Sequence, residues 1–278
     1  MNSFAPSSIA DALRVLRDNP ASTVIAGGTD VMVQINAGRR AVTSILSLRN
    51  VGELRGWSVE SGRVRIGAGC TYAELERPDL ALFVPALTQA ARTVGSPQIR
   101  NAGTIGGNLA TASPAGDTLP VLVALDAQLE LASATASRVI AIGDFLVGPK
   151  QTALQPGELI VSVSVPVLRG AQEFLKVGTR NAMVISVASV AVLADLDAQV
   201  VRIGLGTVGP TVLRSSAAEA WTRSNIDWRS NQISGDLDEF VELVRTDAQP
   251  IDDHRSTKRY RSHAVGICAR RALQRVFS

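Results

Sequence analysis

Two glycine pairs constrain the fold of this 278-residue chain more than any other feature. The first lies in Ala26-Gly27-Gly28-Thr29-Asp30, directly after an apolar run from Ala21 that reads as a buried strand. The second lies in Thr104-Ile105-Gly106-Gly107-Asn108, inside a stretch from Gly95 to Asp117 rich in Gly, Pro, Ser, Thr and Asn. Paired glycines let a backbone adopt positive φ and approach a ligand closely. Successive free N–H groups in such a turn form an anion nest. Thr29, Thr104, Thr111 and Ser113 supply hydroxyls beside the pairs, and Asp30 and Asp117 supply acids. A lone Gly-Gly is an ordinary tight turn. Two pairs with hydroxyls and acids, one in a long segment read as irregular, point to a ligand instead, because long irregular segments in compact domains are usually functional. Two nests suit the two phosphates of a dinucleotide, with Asp30 and Asp117 as acceptors for ribose or adenine groups or as orienters of the loops.

Composition narrows the chemistry. Hydrophobic residues make up 46% and charged residues 19%, values of a packed globular protein. The net charge of +3 is too mild to argue for nucleic acid. The basic residues Arg255, Lys258, Arg259, Arg261, Arg270, Arg271 and Arg275 near the C-terminus read as a solvated helix face. Cys70 and Cys268 are the two cysteines, too few for an iron–sulfur cluster, which takes four ligands. His254 and His263 are too few for a zinc site. No apolar run approaches the roughly 20 residues of a membrane span. The N-terminus lacks the basic start and apolar stretch of a signal peptide. The expectation is a soluble cytoplasmic protein without a membrane span.

Along the chain, Ser8 caps a helix running to about Arg17, and Thr71-Tyr72-Ala73-Glu74 matches a capping box. Strands are expected at Ser44–Leu48, Arg63–Ala68, Ala127–Leu131, Arg138–Ala141 and Glu158–Val165, with helices at Val84–Val94 and Leu119–Leu125. Pro166 to Gly170 marks a boundary between residues 1–168, with lobes of about 1–55 and 56–168, and residues 169–278. Beyond it, strands at Glu173–Gly178, Ile185–Leu196 and Gln199–Leu205 precede helices at Ser216–Thr222, Leu237–Thr246 and Thr257–Val276. Strands followed by helices argue for an α+β domain. The last helix carries Tyr260, Ala264, Ile267, Cys268, Ala272 and Val276 on one stripe, read as core.

Two motifs are decoys. Gly204-Leu205-Gly206-Thr207-Val208-Gly209 fits the dinucleotide fingerprint, but no strand precedes Asp227, the acid at the required distance, so the segment reads as a strand end and turn. Gly143 and Gly148 have phosphate-loop spacing, but Pro149 stands where the motif needs Lys.

With these residues in view, the chain resembles the flavoprotein subunits of the xanthine dehydrogenase and carbon monoxide dehydrogenase family of molybdenum hydroxylases. TIGGNLATASPAGDTLPVLVALDA at 104–127 is very similar to that family's second flavin loop, and AGGTD at 26–30 resembles its first. RIGLGTVGPTVLRSSAAE at 202–219 and PIDDHRSTKRYRSHAVGICARRAL at 250–273 extend the resemblance, in order, over essentially the whole chain. It implies an α+β protein: a two-lobed FAD-binding domain (PCMH/vanillyl-alcohol-oxidase-like) and a small C-terminal α+β domain with a three-stranded antiparallel sheet plus helices. It implies FAD in the cleft between the lobes. Ile25, Ala26, Gly27, Gly28, Thr29 and Asp30 would bind the pyrophosphate, and Thr104, Gly107 and Asn108 would continue that grip. Thr111, Ser113 and Asp117 would line the cofactor, Ile160 would be an apolar flavin contact, and Lys176 would stand near the flavin ring, where a cation favours the reduced form.

The resemblance also implies that the chain breaks no substrate bonds. A molybdopterin-binding large subunit hydroxylates substrate, [2Fe-2S] clusters on a small subunit relay electrons, and FAD here hands them to an acceptor, the whole expected as a dimer of heterotrimers. The cysteine count agrees that clusters must lie on a partner. The carbon monoxide branch carries His after its first Gly-Gly where this chain has Thr29, and Val94-Gly95-Ser96-Pro97 offers no aromatic to stack on a flavin. Two other readings remain open at this point: a self-sufficient flavin oxidase, which needs its own acid–base group near the flavin, and a non-catalytic assembly module.

Overall fold

In the computed structural model, which describes residues 2–278, the first lobe is a parallel sheet ordered Asn2–Phe4, Ser44–Ser47, Thr23–Ile25. Its crossovers are the helices Ile9–Asp18 and Val31–Asn36. Ser8 starts the first of these by accepting a hydrogen bond from the Asp11 amide at 3.1 Å. The helix Val31–Asn36 and the strands Asn2–Phe4 and Trp57–Glu60 are additions to the sequence reading.

The second lobe is an antiparallel five-stranded sheet ordered Trp57–Glu60, Arg63–Gly67, Leu159–Pro166, Gln128–Ala132, Ser137–Ala141. Six short helices are inserted between Arg63–Gly67 and Gln128–Ala132. Two of them, Pro97–Ala102 and Ile105–Thr111, correct the expectation of an irregular stretch from Gly95 to Asp117. Their residues have poor helix propensity, but Ser96 and Thr104 each cap the chain from outside, accepting from the amides of Ile99 and Gly107. Each cap satisfies a donor that a helix start leaves orphaned.

The C-terminal sheet is an antiparallel meander of Gln172–Val177, Ala188–Asp195 and Val200–Gly206, with a fourth strand of two residues, Leu213–Arg214, at its edge. The expected three strands are present; the extra pairing follows from Arg214, whose guanidinium is fixed by Glu219 and Asp126. Every residue of Ala188–Asp195 is buried. Its side chains alternate between two cores: Val190 and Val192 pack with the C-terminal helices, Ala191 and Leu193 with the core of the first two lobes. A strand covered on both faces reads as a continuous apolar run, and this one couples the C-terminal sheet to the helix Leu119–Ala124. The contact is backbone-close: a Cβ on Gly204 would stand 2.1 Å from the Pro120 carbonyl oxygen. That contact explains the glycine spacing of the false dinucleotide motif, which is the expected strand end and turn.

The helices Ser216–Asn225, Leu237–Asp247 and Lys258–Val276 cover the sheet's other face. The apolar stripe of the last helix differs from expectation at its start. Tyr260 is 49% exposed, whereas Arg261 is 1% exposed and holds the inward position. Arg261 is therefore not part of a solvated basic face. Its guanidinium donates to the Val187 and Thr207 carbonyls and to Asp253, so the buried charge is paired. Although burial opposes it, donation from the Arg255 amide, Arg261 and the Ser256 amide brings the Asp253 carboxyl down to about 2. Among the described residues no helix is long and apolar enough to cross a membrane, and no cluster of His, Cys, Asp and Glu could hold a metal.

Candidate functional site

Where the two lobes meet, the strand Thr23–Ile25 runs into a turn that presses against the C-terminal end of helix Pro97–Ala102. The approach is so close that a Cβ on Gly27 would lie 1.8 Å from the Ala102 carbonyl oxygen. Gly28 follows with φ +72°. The amides of Gly27, Gly28, Thr29 and Asp30 have no acceptor among the described residues. Asp30 then leads into helix Val31–Asn36, and its carboxylate accepts from the Gln34 side chain. This turn is an open row of donors, an anion nest.

The second pair is built differently. Gly106 and Gly107 sit in the first turn of helix Ile105–Thr111, and their donors are taken. The Ile105 amide donates to the Cys70 carbonyl at 2.9 Å and the Gly106 amide to the Ala68 carbonyl at 2.9 Å. Gly107 donates to Thr104 Oγ1 at 3.0 Å, and Asn108 to the Thr104 carbonyl at 3.0 Å. The expectation of a second nest of free N–H groups is thereby corrected: the helix start satisfies itself and the adjoining sheet edge. A Cβ on Gly106 would meet the Ala68 carbonyl oxygen at 2.6 Å, so this glycine serves close packing.

The two pairs converge on one cleft with two chambers, about 540 and 370 Å³. Ala26, Gly27, Thr104, Gly107 and Ala110 line both chambers and form the waist between them. The larger chamber also takes in Gly28, Thr29, Asp30, Asn108, Thr111, Ser113 and Asp117. The smaller is walled by apolar side chains that include Leu48, Leu54, Leu154, Leu159 and Ile160. Both volumes fall in the usual range of small-molecule sites, roughly 300–1,000 Å³.

Three of the sequence-derived residues do not line the larger chamber. Ile25 lies in the strand, paired with Ser47, and borders neither chamber. Ile160 borders only the smaller chamber. Lys176 lies behind Asp117 rather than in the wall: its Nζ donates to Asp117 Oδ2 at 2.5 Å and to the Thr93 carbonyl at 3.1 Å. Asp117 is held on both oxygens: Ser186 donates to Oδ1, and the Thr93 hydroxyl, which also donates to the Ala90 carbonyl at 2.8 Å, lies 3.2 Å from Oδ2. Burial pushes its carboxyl above the ordinary value, opposed by Lys176 and the two hydroxyls. Of the two roles open to Asp117, the geometry fits an orienter that ties Thr93 of the second lobe to Lys176 and Ser186 of the C-terminal sheet. Asn108 likewise accepts from Thr118 Oγ1 at 2.5 Å, and its amide nitrogen lies against Gly116.

Sequence reasoning missed Tyr72, Arg40, Lys150 and the segment Met183–Ile185, all of which line the larger chamber. Lys150 is the one with a local signal, a proline-preceded turn at φ +57°. The others arrive through tertiary packing. Neither histidine borders the cleft. Burial and Glu74 push the Cys70 thiol up to about 11, which leaves it an inert packing group.

Comparison with known proteins agrees with this geometry. Residues 1–168 match the FAD binding domain in molybdopterin dehydrogenase, and residues 173–276 match the CO dehydrogenase flavoprotein C-terminal domain. The putative xanthine dehydrogenase FAD-binding subunit of Escherichia coli (strain K12) is 32% identical over 276 residues, covering 96% of this chain and 92% of that protein. The carbon monoxide dehydrogenase medium chain of Afipia carboxidovorans is 30% identical, covering 97% of this chain and 94% of its own length. Among solved structures, reconstituted CO dehydrogenase from Oligotropha carboxidovorans superimposes with a TM-score of 0.89 at 28% identity, covering 100% of this chain and 97% of that one. With an open row of amides lining the cleft and relatives that match the chain end to end, the family is clear: the chain belongs to the FAD-binding medium subunits of the molybdenum hydroxylases.

Proposed function

We propose that this chain is the electron-transfer subunit of a molybdenum hydroxylase complex, carrying electrons from iron–sulfur clusters on a small partner subunit to a terminal acceptor. The observation that carries the reading is the two-chambered cleft with the Gly27–Asp30 nest running from its waist, at Gly27, into the larger chamber. FAD has the same form: two bulky ends joined by a thin diphosphate. The free amides of Gly27 to Asp30 would hold the diphosphate, with the Thr29 hydroxyl beside them. The larger chamber would take the flavin ring, because it opens beside Met183 and Ile185, both about half exposed, where a partner can approach. The smaller, apolar chamber would take the adenosine, making Ile160 an adenine contact rather than a flavin contact.

Held there by these residues, FAD would supply one-electron exchange with iron–sulfur donors and two-electron exchange with an acceptor such as NAD, a quinone or oxygen. The chain's own residues hold and orient it. Lys176 acts through Asp117, and this pair fixes the C-terminal sheet against the ring chamber. A flavin oxidase acting alone needs a free acid–base group at the ring; Asp117 is paired with Lys176 and Ser186. In this reading the molybdopterin-binding large subunit and the [2Fe-2S] small subunit complete a heterotrimer that pairs into a dimer of heterotrimers, and the two buried free thiols suit a reducing cytoplasm.

The test is the absorption spectrum of the chain purified alone with FAD supplied, and again with its co-purifying chains. Flavin bands from the single chain are expected, with iron–sulfur absorbance and substrate-driven bleaching of the flavin only in the complex. A chain that takes up no FAD, or one that turns over substrate with oxygen unaided, would overturn the assignment.

A further inference from the structure

Tyr72 is the first residue of helix Tyr72–Leu75, which the Thr71–Glu74 capping box starts. Its amide donates to the Gly103 carbonyl at 3.0 Å, and a Cβ on Gly103 would lie 2.8 Å from the ring's Cε2. The side chain is therefore clamped, and it is only 6% exposed. It forms part of the wall of the larger chamber with Val94, Gly95 and Asp117. Its hydroxyl has no hydrogen-bond partner among the described residues, and it is not sealed in the core with the buried unpaired atoms. A buried tyrosine hydroxyl ordinarily finds a partner. Here the protein supplies none on the protein side and leaves the chamber on the other.

We propose that Tyr72 is a direct cofactor contact whose O–H donates across the larger chamber to an oxygen or nitrogen acceptor on the polar edge of the flavin ring. The inference rests on the FAD reading above and adds a residue that neither glycine pair predicts. Lys176 does not line the chamber; its ammonium lies behind Asp117, donating to that carboxylate and to the Thr93 carbonyl. Burial and the neighbouring Asp117 carboxylate both raise the phenol's pKa, so it stays a neutral donor. A donor fixed at a ring acceptor draws charge from the ring and favours its reduced form.

The test is Tyr72→Phe in the full chain, stripped of flavin and titrated with FAD beside the wild type. Phenylalanine keeps the ring against Gly103, so the flavin-free proteins should melt together. FAD should bind about 3- to 10-fold more weakly, the fold-change of one neutral hydrogen bond. The visible flavin bands should shift and the midpoint potential should fall, changes that a merely structural residue would not produce. Unchanged affinity with unchanged bands overturns the contact while leaving the FAD reading intact. A wild-type chain that takes up no FAD overturns both.

Discussion

The two glycine pairs are alike in sequence and unlike in what they do. Gly27-Gly28 leaves a strand, turns through positive φ, and exposes four unpaired amides. Gly106-Gly107 enters a helix, keeps ordinary φ, and has its amides taken by Ala68 and Thr104. The first is a binding turn. The second is a packing device that lets helix Ile105–Thr111 lie against the edge of the second lobe near Ala68. Within each pair the first glycine is the one that a neighbouring backbone crowds, Ala102 for Gly27 and Ala68 for Gly106. The dipeptide alone therefore does not identify an anion site; what matters is whether a helix start has already used its N–H groups.

The largest effect expected from this contrast is at Gly27. Its alanine Cβ would fall 1.8 Å from a backbone oxygen, which cannot swing aside as a side chain could. Gly27→Ala should destabilise by about 3 kcal/mol or more, at the upper end for overpacking, and should purify without FAD. Gly106→Ala meets backbone at 2.6 Å but regains helix propensity of up to about 1 kcal/mol, so its loss should be smaller, about 1–2 kcal/mol. Thermal melts of both variants decide the order, and Gly106→Ala proving the worse would reverse the contrast.

Gly28→Ala should be milder. The positive φ costs an L-residue roughly 1–2 kcal/mol, partly offset by the stiffer unfolded chain. The added Cβ meets only the flexible Met32 Cγ, at 3.2 Å. A net loss of about 1 kcal/mol is expected, together with weaker FAD binding, because relaxing φ turns an amide out of the nest. A Gly28→Ala chain that melts lower yet binds FAD at wild-type affinity would show that the nest does not hold the cofactor.

Much of this was legible in the chain itself. The caps at Ser8 and Thr71 and the strands of the second and C-terminal sheets other than Trp57–Glu60 and Leu213–Arg214 follow from local chemistry, and the structure has them within a few residues. Local signals failed where distant partners decide the outcome. Gly, Asn and Ser between 95 and 117 argue for a loop, yet external caps and burial against Ala68 and Cys70 hold two helices there. Asp117 lines the larger chamber as expected of it, but nothing local reveals its partners Lys176 and Ser186, 59 and 69 residues away. Arg261 looks like surface because its acceptors, the Val187 and Thr207 carbonyls, come from the sheet. Tyr72 is read as one residue of a capping box because its hydroxyl acquires meaning only when the chamber forms around it.

The smallest effect on stability belongs to Gly107, and it separates fold from site most cleanly. This glycine is the one member of the second pair that faces both chambers, at their waist. Nothing in the backbone requires it: its φ is helical, and an added Cβ would meet only Thr104 Oγ1, at 3.1 Å, a hydroxyl able to shift by a few tenths of an ångström. Alanine in a helix is favoured over glycine by up to about 1 kcal/mol, so Gly107→Ala should melt at or slightly above the wild type. Glycine is tolerated here at some cost to the helix, and a bound group at the waist supplies the reason, since a methyl would project into the narrowest part of the cleft. FAD affinity should fall by about tenfold or more, equivalent to about 1.4 kcal/mol, while the flavin-free protein stays intact. A melt and an FAD titration on the same sample test both halves. Loss of stability together with affinity would make Gly107 a second packing glycine like Gly106; full affinity with full stability would move the diphosphate away from Gly107 and onto the Gly27–Asp30 turn alone.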